Sequence, residues 1–365
     1  MEITDVKTLG LSIPLEKPAT FATRTVHERR FSIVQVVTDE GITGIGCAPI
    51  GNPLSVTAII ERDLKRLLVG EIPFAVERIW ERMYREMYRD RKGSAIRAIS
   101  AVDIALWDVI GKALKMPLYK LLGGYRDRVP CYASGGYYRE SKGLEELARE
   151  MVGYVEKGFT AVKMKVGALS LKKDVERVRA VRDAIGPDID LMIDANNAYN
   201  AHTAIKAGRK FEKYDIYWFE EPVWPDDIHG SALVAAALDT PVASGELEFT
   251  RYGFRDLIEN RAVDIIQPDA TVVGGISEWM KVAAMASAWR IPVAPHWEQE
   301  VHVHLAAAVP NVLTVEFFPR EGDIRLEDKL YAEYMEPKKG YLEVPKKPGL
   351  GIELNEEALK RYRFK

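Results

Sequence analysis

The sequence predicts an α/β fold: a modified TIM-type (β/α) barrel under an α+β capping domain built from the N-terminal region and the C-terminal tail. Three observations predict it. Apolar runs recur that end in an ionisable residue, helical stretches fill the gaps between them, and the first 49 or so residues alternate polar and apolar instead.

The clearest run is Ile189–Asn197, where Leu191, Met192 and Ile193 lead into Asp194 and two asparagines follow. An apolar run bounded by polar residues reads as a parallel strand buried on both faces, with its last side chain delivered at the C-terminal end. Similar runs end at Glu220, Glu246, Asp269, His296 and Glu316, and Ala161–Lys165 ends in lysine. Consecutive ends lie 20 to 29 residues apart, the length of one strand–helix unit. That rhythm is a barrel whose chemistry sits at its C-terminal face. Val129–Ser134 supplies the first strand, and no convincing helix follows Glu316 to complete an eighth unit.

Upstream of the barrel, Ile3–Lys7 and Phe31–Thr38 alternate, with a turn at Asp39-Glu-Gly41, as an antiparallel meander does. From Leu54 the period becomes helical. Ala95–Ile110 is apolar on most sides, which places that helix between layers. The charged, proline-rich tail holds Gly349–Leu354, a segment able to pair back onto the meander. The expected division is a cap over 1–125, a barrel over 126–320 and a returning segment over 321–365.

Composition narrows the function classes. With 51 basic and 54 acidic residues, intermixed along the chain, nothing favours nucleic acid or an anionic membrane. Two cysteines are too few for a disulfide framework. The N-terminus lacks a signal peptide's pattern, and no long apolar run spans a membrane. A cytoplasmic enzyme, working as a homo-oligomer, is the expectation.

Around such a barrel, Asp194, Glu220 and Glu246 end three neighbouring strands, so three carboxylates converge on one arc. They cannot sit together ionised unless a cation neutralises them. Oxygen donors point to a hard ion, Mg²⁺ before Mn²⁺. The competing reading, barrel-mouth salt bridges to arginines, suits one carboxylate better than three at matched depth. Lys165 and His296 end strands nearly across the mouth from each other and approach a bound substrate from opposite faces. Asp269, on the strand beside His296, can fix the imidazole tautomer. Repulsion from Lys163 and a nearby ion should depress the pKa of Lys165. Glu316, if protonated, can hydrogen-bond a substrate carboxylate; its alternative is a buried partner for a lysine. His302 and His304 do not extend the metal set, because i, i+2 side chains on a helix diverge.

Lys163-x-Lys165, Asp194-x-Asn196, Glu220-Glu-Pro222, Glu246, Gln267-x-Asp269, His296 and Glu316 together resemble the mandelate racemase branch of the enolase superfamily. The likeness extends to Ala101–Asp108 and Leu118–Gly124 and so covers nearly the whole chain. It implies a (β/α)₇β barrel and abstraction of the proton α to a carboxylate bound to Mg²⁺. By that likeness Asp194, Glu220 and Glu246 are metal ligands, Lys165 and the His296–Asp269 dyad are bases, and Lys163, Asn196 and Glu316 assist the enediolate.

Substrate choice should reside in loops over the mouth, Thr20–Arg30 and Ile50–Pro53. Arg24 and His27 are expected to reach hydroxyls or a second carboxylate, and Tyr137 and Tyr138 to line a polyol pocket. Arg29 and Arg30 read as the solvent-facing start of the next strand, without a role. The expected reaction is dehydration of a sugar acid to a 2-keto-3-deoxy acid, with two-base racemisation of a 2-hydroxy acid as the alternative. A binding protein without turnover would not need the bases.

Overall fold

The computed structural model describes residues 1–49, 51–140 and 142–364. Strands β1 (Ile3–Phe21), β2 (Arg24–Thr38) and β3 (Thr43–Pro49) form an antiparallel sheet in the order β1-β2-β3. Thr20–Arg30, expected as a loop, is the far end of the long β1–β2 hairpin. Its paired backbone makes it a stiff flap that docks through the antiparallel bridge Thr20–Tyr138. Ile50, in the second expected loop, lies outside the described residues.

One face of the sheet receives the 20-residue helix Ser94–Ala113, buried along most of its length. Close approach is possible because Gly44 and Gly46 offer no Cβ; one built on Gly46 would lie 1.9 Å from the Ala101 carbonyl oxygen. The other side of the helix meets the barrel. There Asp103 accepts from Ser277 N and Oγ at 2.9 and 2.6 Å, and Trp107 Nε1 donates to Ser277 Oγ.

The barrel strands are β4 (Arg128–Ser134), β5 (Ala161–Lys165), β6 (Asp190–Asp194), β7 (Ile216–Glu220), β8 (Val242–Ser244), β9 (Ile265–Ile266) and β10 (Val315–Phe317). They run parallel in the order β10-β4-β5-β6-β7-β8-β9. Val293 closes the ring with single bridges to Ile266 and Val312, so the run ending at His296 is a strand position with minimal pairing. Where an eighth barrel helix would follow β10 stand only two 3₁₀ turns, Arg320–Gly322 and Glu327–Lys329, as expected from the missing eighth helical pattern.

Strand periodicity sorts the side chains. Val162, Met164, Leu191, Ile193 and Phe219 face the surrounding helices, while Tyr132, Ala161, Met192, Trp218, Ala243, Ile265 and Ala294 fill the barrel. Two residues further along β5, β6 and β7, the same inward face presents Lys163, Asp194 and Glu220. Polar chemistry therefore sits directly on an apolar plug.

The tail divides its attachments. β11 (Tyr341–Glu343) pairs antiparallel with β4 of the barrel. Gly349–Leu354 does not join the meander as expected: Gly349 bridges Pro117, and Leu350 N donates to Asp108 in the cap helix at 2.8 Å. The free edge of β1 is instead covered by the last residues, through Ser12 N to Tyr362 O at 2.9 Å and Phe364 N to Gly10 O at 2.8 Å. Glu353 O and Asn355 N are instead engaged by Ala332 N and Leu330 O, at 2.9 and 2.8 Å.

Candidate active site

Register sets the depth of the site. Lys165 pairs with Asp194, and Asp194 with Glu220, so three charged ends lie side by side on β5, β6 and β7. Each is followed by an abrupt turn: Asn196, Asn197 and Glu221 have φ of 41°, 65° and 41°, and Trp297, after His296, has 66°. Asparagine tolerates this left-handed region; glutamate and tryptophan do so at a cost that surrounding contacts must hold.

Asp194, Glu220 and Lys163 are almost wholly buried, Lys165, Glu246 and His296 nearly so. Lys163 Nζ donates to Glu220 Oε1 and lies 2.9 Å from Glu316 Oε1. Lys165 Nζ donates to Asp194 Oδ2 and sits over the Tyr137 ring, 5.0 Å from its centroid. Gln267 Nε2 and Trp218 Nε1 both donate to Glu220 Oε2, at 2.7 and 2.9 Å. Asn196 N–H donates to Asp194 Oδ1 at 2.8 Å.

Charge balance corrects two expectations. The Lys165 pKa is raised, not depressed: burial is the largest single effect and works against the ammonium, but Asp194 in direct contact, Tyr137 and Glu220 together overcome burial and Lys163. Glu316 is ionised, with its pKa lowered to about 2, because Lys163, His296 and Lys165 overcome burial. It therefore accepts hydrogen bonds, including one from Trp297 N–H at 3.0 Å, and the lysine-partner reading describes it. Glu220 moves the other way: burial and its acidic neighbours push it up against the pull of Lys163.

His296 Nδ1 lies 2.9 Å from Asp269 Oδ2, and its Nε2 lies 3.4 Å from Glu246 Oε2. Asp269 is fixed in turn by Thr271, whose N–H and Oγ–H both donate to Oδ1 at 2.7 Å. Burial lowers the imidazole pKa, but Glu246, Asp269 and Glu316 more than compensate, raising it to about 9. His302 and His304 are spent elsewhere: His302 Nε2 accepts from Ala270 N–H at 3.0 Å, and His304 contacts Tyr119 N and Leu350 O.

The donor set suits a hard cation. Asp194, Glu220 and Glu246 offer oxygens only, and two further buried oxygens beside them, Asn196 Oδ1 and Glu221 Oε2, have no donor. The three carboxylates are not drawn together at coordinating distance; among the described residues no three such side chains are. The lysines and His296 supply the positive charge instead.

Above the ring lies a cavity of about 170 Å³, lined from below by Lys165, Asn196, Glu246, His296 and Glu316 and from above by the β1–β2 hairpin. Lys165 and His296 face it from strand positions three apart on the shorter way round the ring. Among the expected cap contacts, Arg24 and Tyr137 line it. His27 is exposed and does not line it. Tyr138 is also turned away: its hydroxyl donates to Asp174 Oδ1 at 2.5 Å under the Arg177 guanidinium. Arg29 and Arg30, given no role from sequence, both line the cavity, and Arg29 is only 8% exposed. Nothing local in the sequence signalled Arg29, whose burial is created by Trp297 and the tail at Ile324.

Comparison with known proteins agrees with this architecture. Residues 3–123 match the mandelate racemase/muconate lactonizing enzyme N-terminal domain, and residues 144–358 match the enolase C-terminal domain-like family. The chain is 40% identical over 346 residues to the arabinonate dehydratase of Saccharolobus solfataricus, covering 93% of this chain and 92% of that protein. A Streptomyces coelicolor racemase solved with bound magnesium superposes with a TM-score of 0.93 at 33% identity, covering 99% of this chain and all of that one (100%). The L-talarate/galactarate dehydratase of Salmonella typhimurium, solved with Mg and L-lyxarohydroxamate, gives 0.91 at 34% identity, covering 100% and 93%. With both domain types matched over most of its length and the site residues at the mouth of such a barrel, the chain belongs to the mandelate racemase branch of the enolase superfamily.

Proposed function

We propose that the protein is a Mg²⁺-dependent dehydratase of sugar acids, a hydro-lyase that converts an aldonate or aldarate to its 2-keto-3-deoxy acid. The observation that carries the reading is one cavity faced by Lys165, His296 and Glu246, with the Asp194 and Glu220 carboxylates held by Lys165 and Lys163 beside it. The similarity to arabinonate and talarate/galactarate dehydratases favours elimination over other uses of the same bases.

Asp194, Glu220 and Glu246 would hold the ion, with Asn196 Oδ1 within the same polar layer. Bound Mg²⁺ supplies positive charge beside the substrate carboxylate and so lowers the cost of a second negative charge on its oxygens. Lys163 supplies a further fixed cation on that side, and preorganised charge of this kind is where most rate enhancement arises.

One base removes the C2 proton, and the electron pair of that C–H bond moves into the carboxylate as an enediolate. The pair then returns to form the C2–C3 double bond as the C3–O bond breaks. The leaving hydroxyl takes a proton from the protonated His296 and departs as water. The resulting enol takes up a proton at C3, gives up the proton of its C2 hydroxyl and becomes the 2-keto acid. Asp269 holds Nδ1–H, so Nε2 is the atom that exchanges protons with substrate. The hairpin above the cavity excludes water and positions the polyol chain.

The reading extends to a cytoplasmic homo-oligomer. Two unpaired buried cysteines, Cys47 and Cys131, support the compartment, and the large exposed side chains Trp224, Leu233 and Trp289 support assembly. Among the described residues no helix is long and apolar enough to cross a membrane. Light scattering of the purified protein measures the subunit number.

Incubation with stereochemically defined aldonates and aldarates plus Mg²⁺, scored for α-keto acid, tests the reaction. Keto acid from any member supports dehydration. Epimerised substrate without keto acid supports racemisation, which two bases on opposite faces can also perform. Neither product from the whole panel would overturn the proposal.

A further inference from the structure

The turn after His296 is held from behind by buried charge. Trp297 has φ 66°, in the left-handed region that a bulky residue keeps only where its surroundings over-determine it. Its N–H donates to Glu316 Oε2 at 3.0 Å, and its indole Nε1–H donates to Glu327 Oε1. The Arg29 guanidinium lies over the ring, 4.8 Å from its centroid, and the Phe318 ring packs 4.5 Å away, centroid to centroid. The next residue, Glu298, already stands at the start of the helix Gln299–Ala308. The His296 and Trp297 rings are 5.6 Å apart, so relaxing the indole displaces the imidazole that sits 2.9 Å from Asp269.

Glu327 reaches this place because no eighth helix follows β10, and the tail segment Ile324–Glu327 is buried there instead. Ile324 O accepts from Arg29 Nε at 2.9 Å, and Tyr137 and Glu327 favour the Arg29 charge against its burial. Arg325 is shared by three buried acids. It donates to Glu298 Oε1 at 3.1 Å and to both oxygens of Glu300, and its Nε lies 3.8 Å from Glu327 Oε2. Tyr331 Oη also donates to Glu298 Oε1, at 3.1 Å. Acids that share one buried cation are held firmly, since moving any of them leaves charge unmatched. Glu298, Glu300, Arg325 and Glu327 do not line the cavity, so what they do for the reaction passes through Trp297.

We propose that Glu327, oriented by Arg325, is a positioning residue for His296: by holding the Trp297 indole it keeps the imidazole aimed from Asp269 into the cavity. Lys165 draws on other contacts, Asp194 and the Tyr137 ring. Glu327 therefore serves one of the two bases and not the other. This inference rests on the reading of His296 and Lys165 as bases toward a sugar acid. Misplacing a catalytic group by about 1 Å can cost about 100-fold in rate, which sets the scale of the effect.

The test uses Glu327→Leu, which removes the acceptor, Glu327→Gln, which keeps one, and Trp297→Phe, which removes the Nε1–H but keeps a ring. Solvent deuterium exchange at C2 is followed for both C2 epimers of an accepted sugar acid in Mg²⁺, so that each base is read on its own face. Keto-acid kcat and KM, and the imidazole nitrogen signals of the substrate-free enzyme, are measured beside it. Glu327→Leu and Trp297→Phe should lower His296-face exchange and kcat by about 10- to 100-fold, with KM and Lys165-face exchange near the wild type. The His296 signals should shift in the same two variants, and Glu327→Gln should recover most of both readouts. An equal fall on both faces overturns the proposal, as does a loss of thermal stability alone with kcat and the imidazole signals unchanged. Glu327→Gln as impaired as Glu327→Leu overturns it too. Should Glu327→Leu not fold, Trp297→Phe decides by the same criteria. If the wild type neither exchanges nor dehydrates any acid, the dehydratase reading fails, and the imidazole signals still decide whether Glu327 positions His296.

Discussion

Asp269→Asn is the perturbation that most directly interrogates the His296 base. Asp269 Oδ1 receives two hydrogen bonds from Thr271, so an amide at this position must keep its oxygen there. Its NH₂ then points at His296 Nδ1, 2.9 Å away in the wild type. Nδ1 becomes the acceptor, and the single imidazole proton moves to Nε2, the atom that faces the cavity. The base is lost by tautomer, with side-chain size unchanged. The lost charge-assisted hydrogen bond alone costs about 1.5–3 kcal/mol, or roughly 10- to 150-fold in rate. Loss of the base's whole contribution extends this to about 10²–10⁴-fold. Steady-state kcat/KM measures the fall, and solvent deuterium exchange at C2, followed by NMR, assigns it to one face. Exchange on the Lys165 face should survive. Imidazole nitrogen chemical shifts report the tautomer without turnover. Wild-type kcat/KM in Asp269→Asn, with the proton still on Nδ1, would refute the reasoning.

Further outcomes follow from the same geometry. Chelation should abolish keto-acid formation and Mg²⁺ should restore it; full activity after exhaustive chelation would dissolve the ligand assignment of Asp194, Glu220 and Glu246. Burial raises the Asp103 carboxyl from 3.8 to about 7, against the pull of Ser277. The folded protein then binds the proton more tightly than the unfolded chain, so stability is greatest at low pH and falls as pH rises between about 4 and 7, by at most roughly 4 kcal/mol. Denaturant melts across that range should show the slope in the wild type and lose it in Asp103→Asn. Gly46→Ala should destabilise the cap by about 1–3 kcal/mol or more, because its Cβ would meet the Ala101 carbonyl oxygen. By contrast Gly153→Ala, in the Leu144–Glu156 helix with open space around it, should stabilise by about 0.5–1 kcal/mol in the same melts.

The sequence by itself determined the ring. Barrel strands buried on both faces must be continuous apolar runs, and the first polar residue at each C-terminal end must emerge at the mouth. Asp194, Glu220, Lys165 and His296 were therefore legible from pattern and spacing, with no knowledge of their contacts. The missing eighth helix and the buried cap helix were legible for the same reason, since each is a statement about periodicity. What only the tertiary structure decided is how the charges pair and what lies over them. Lys165 is ionised more firmly than expected because Asp194 is its register partner, a fact of strand alignment that local sequence does not carry. Glu316 is ionised because three cations from other strands surround it. His27 and Tyr138 left the cavity, and Arg29 entered it, because a hairpin two strands long, the residue after His296 and a tail segment near Ile324 meet there. The hairpin is separated from the other two pieces by most of the chain, and only folding brings a buried cation, its aromatic support and the substrate cavity to one place.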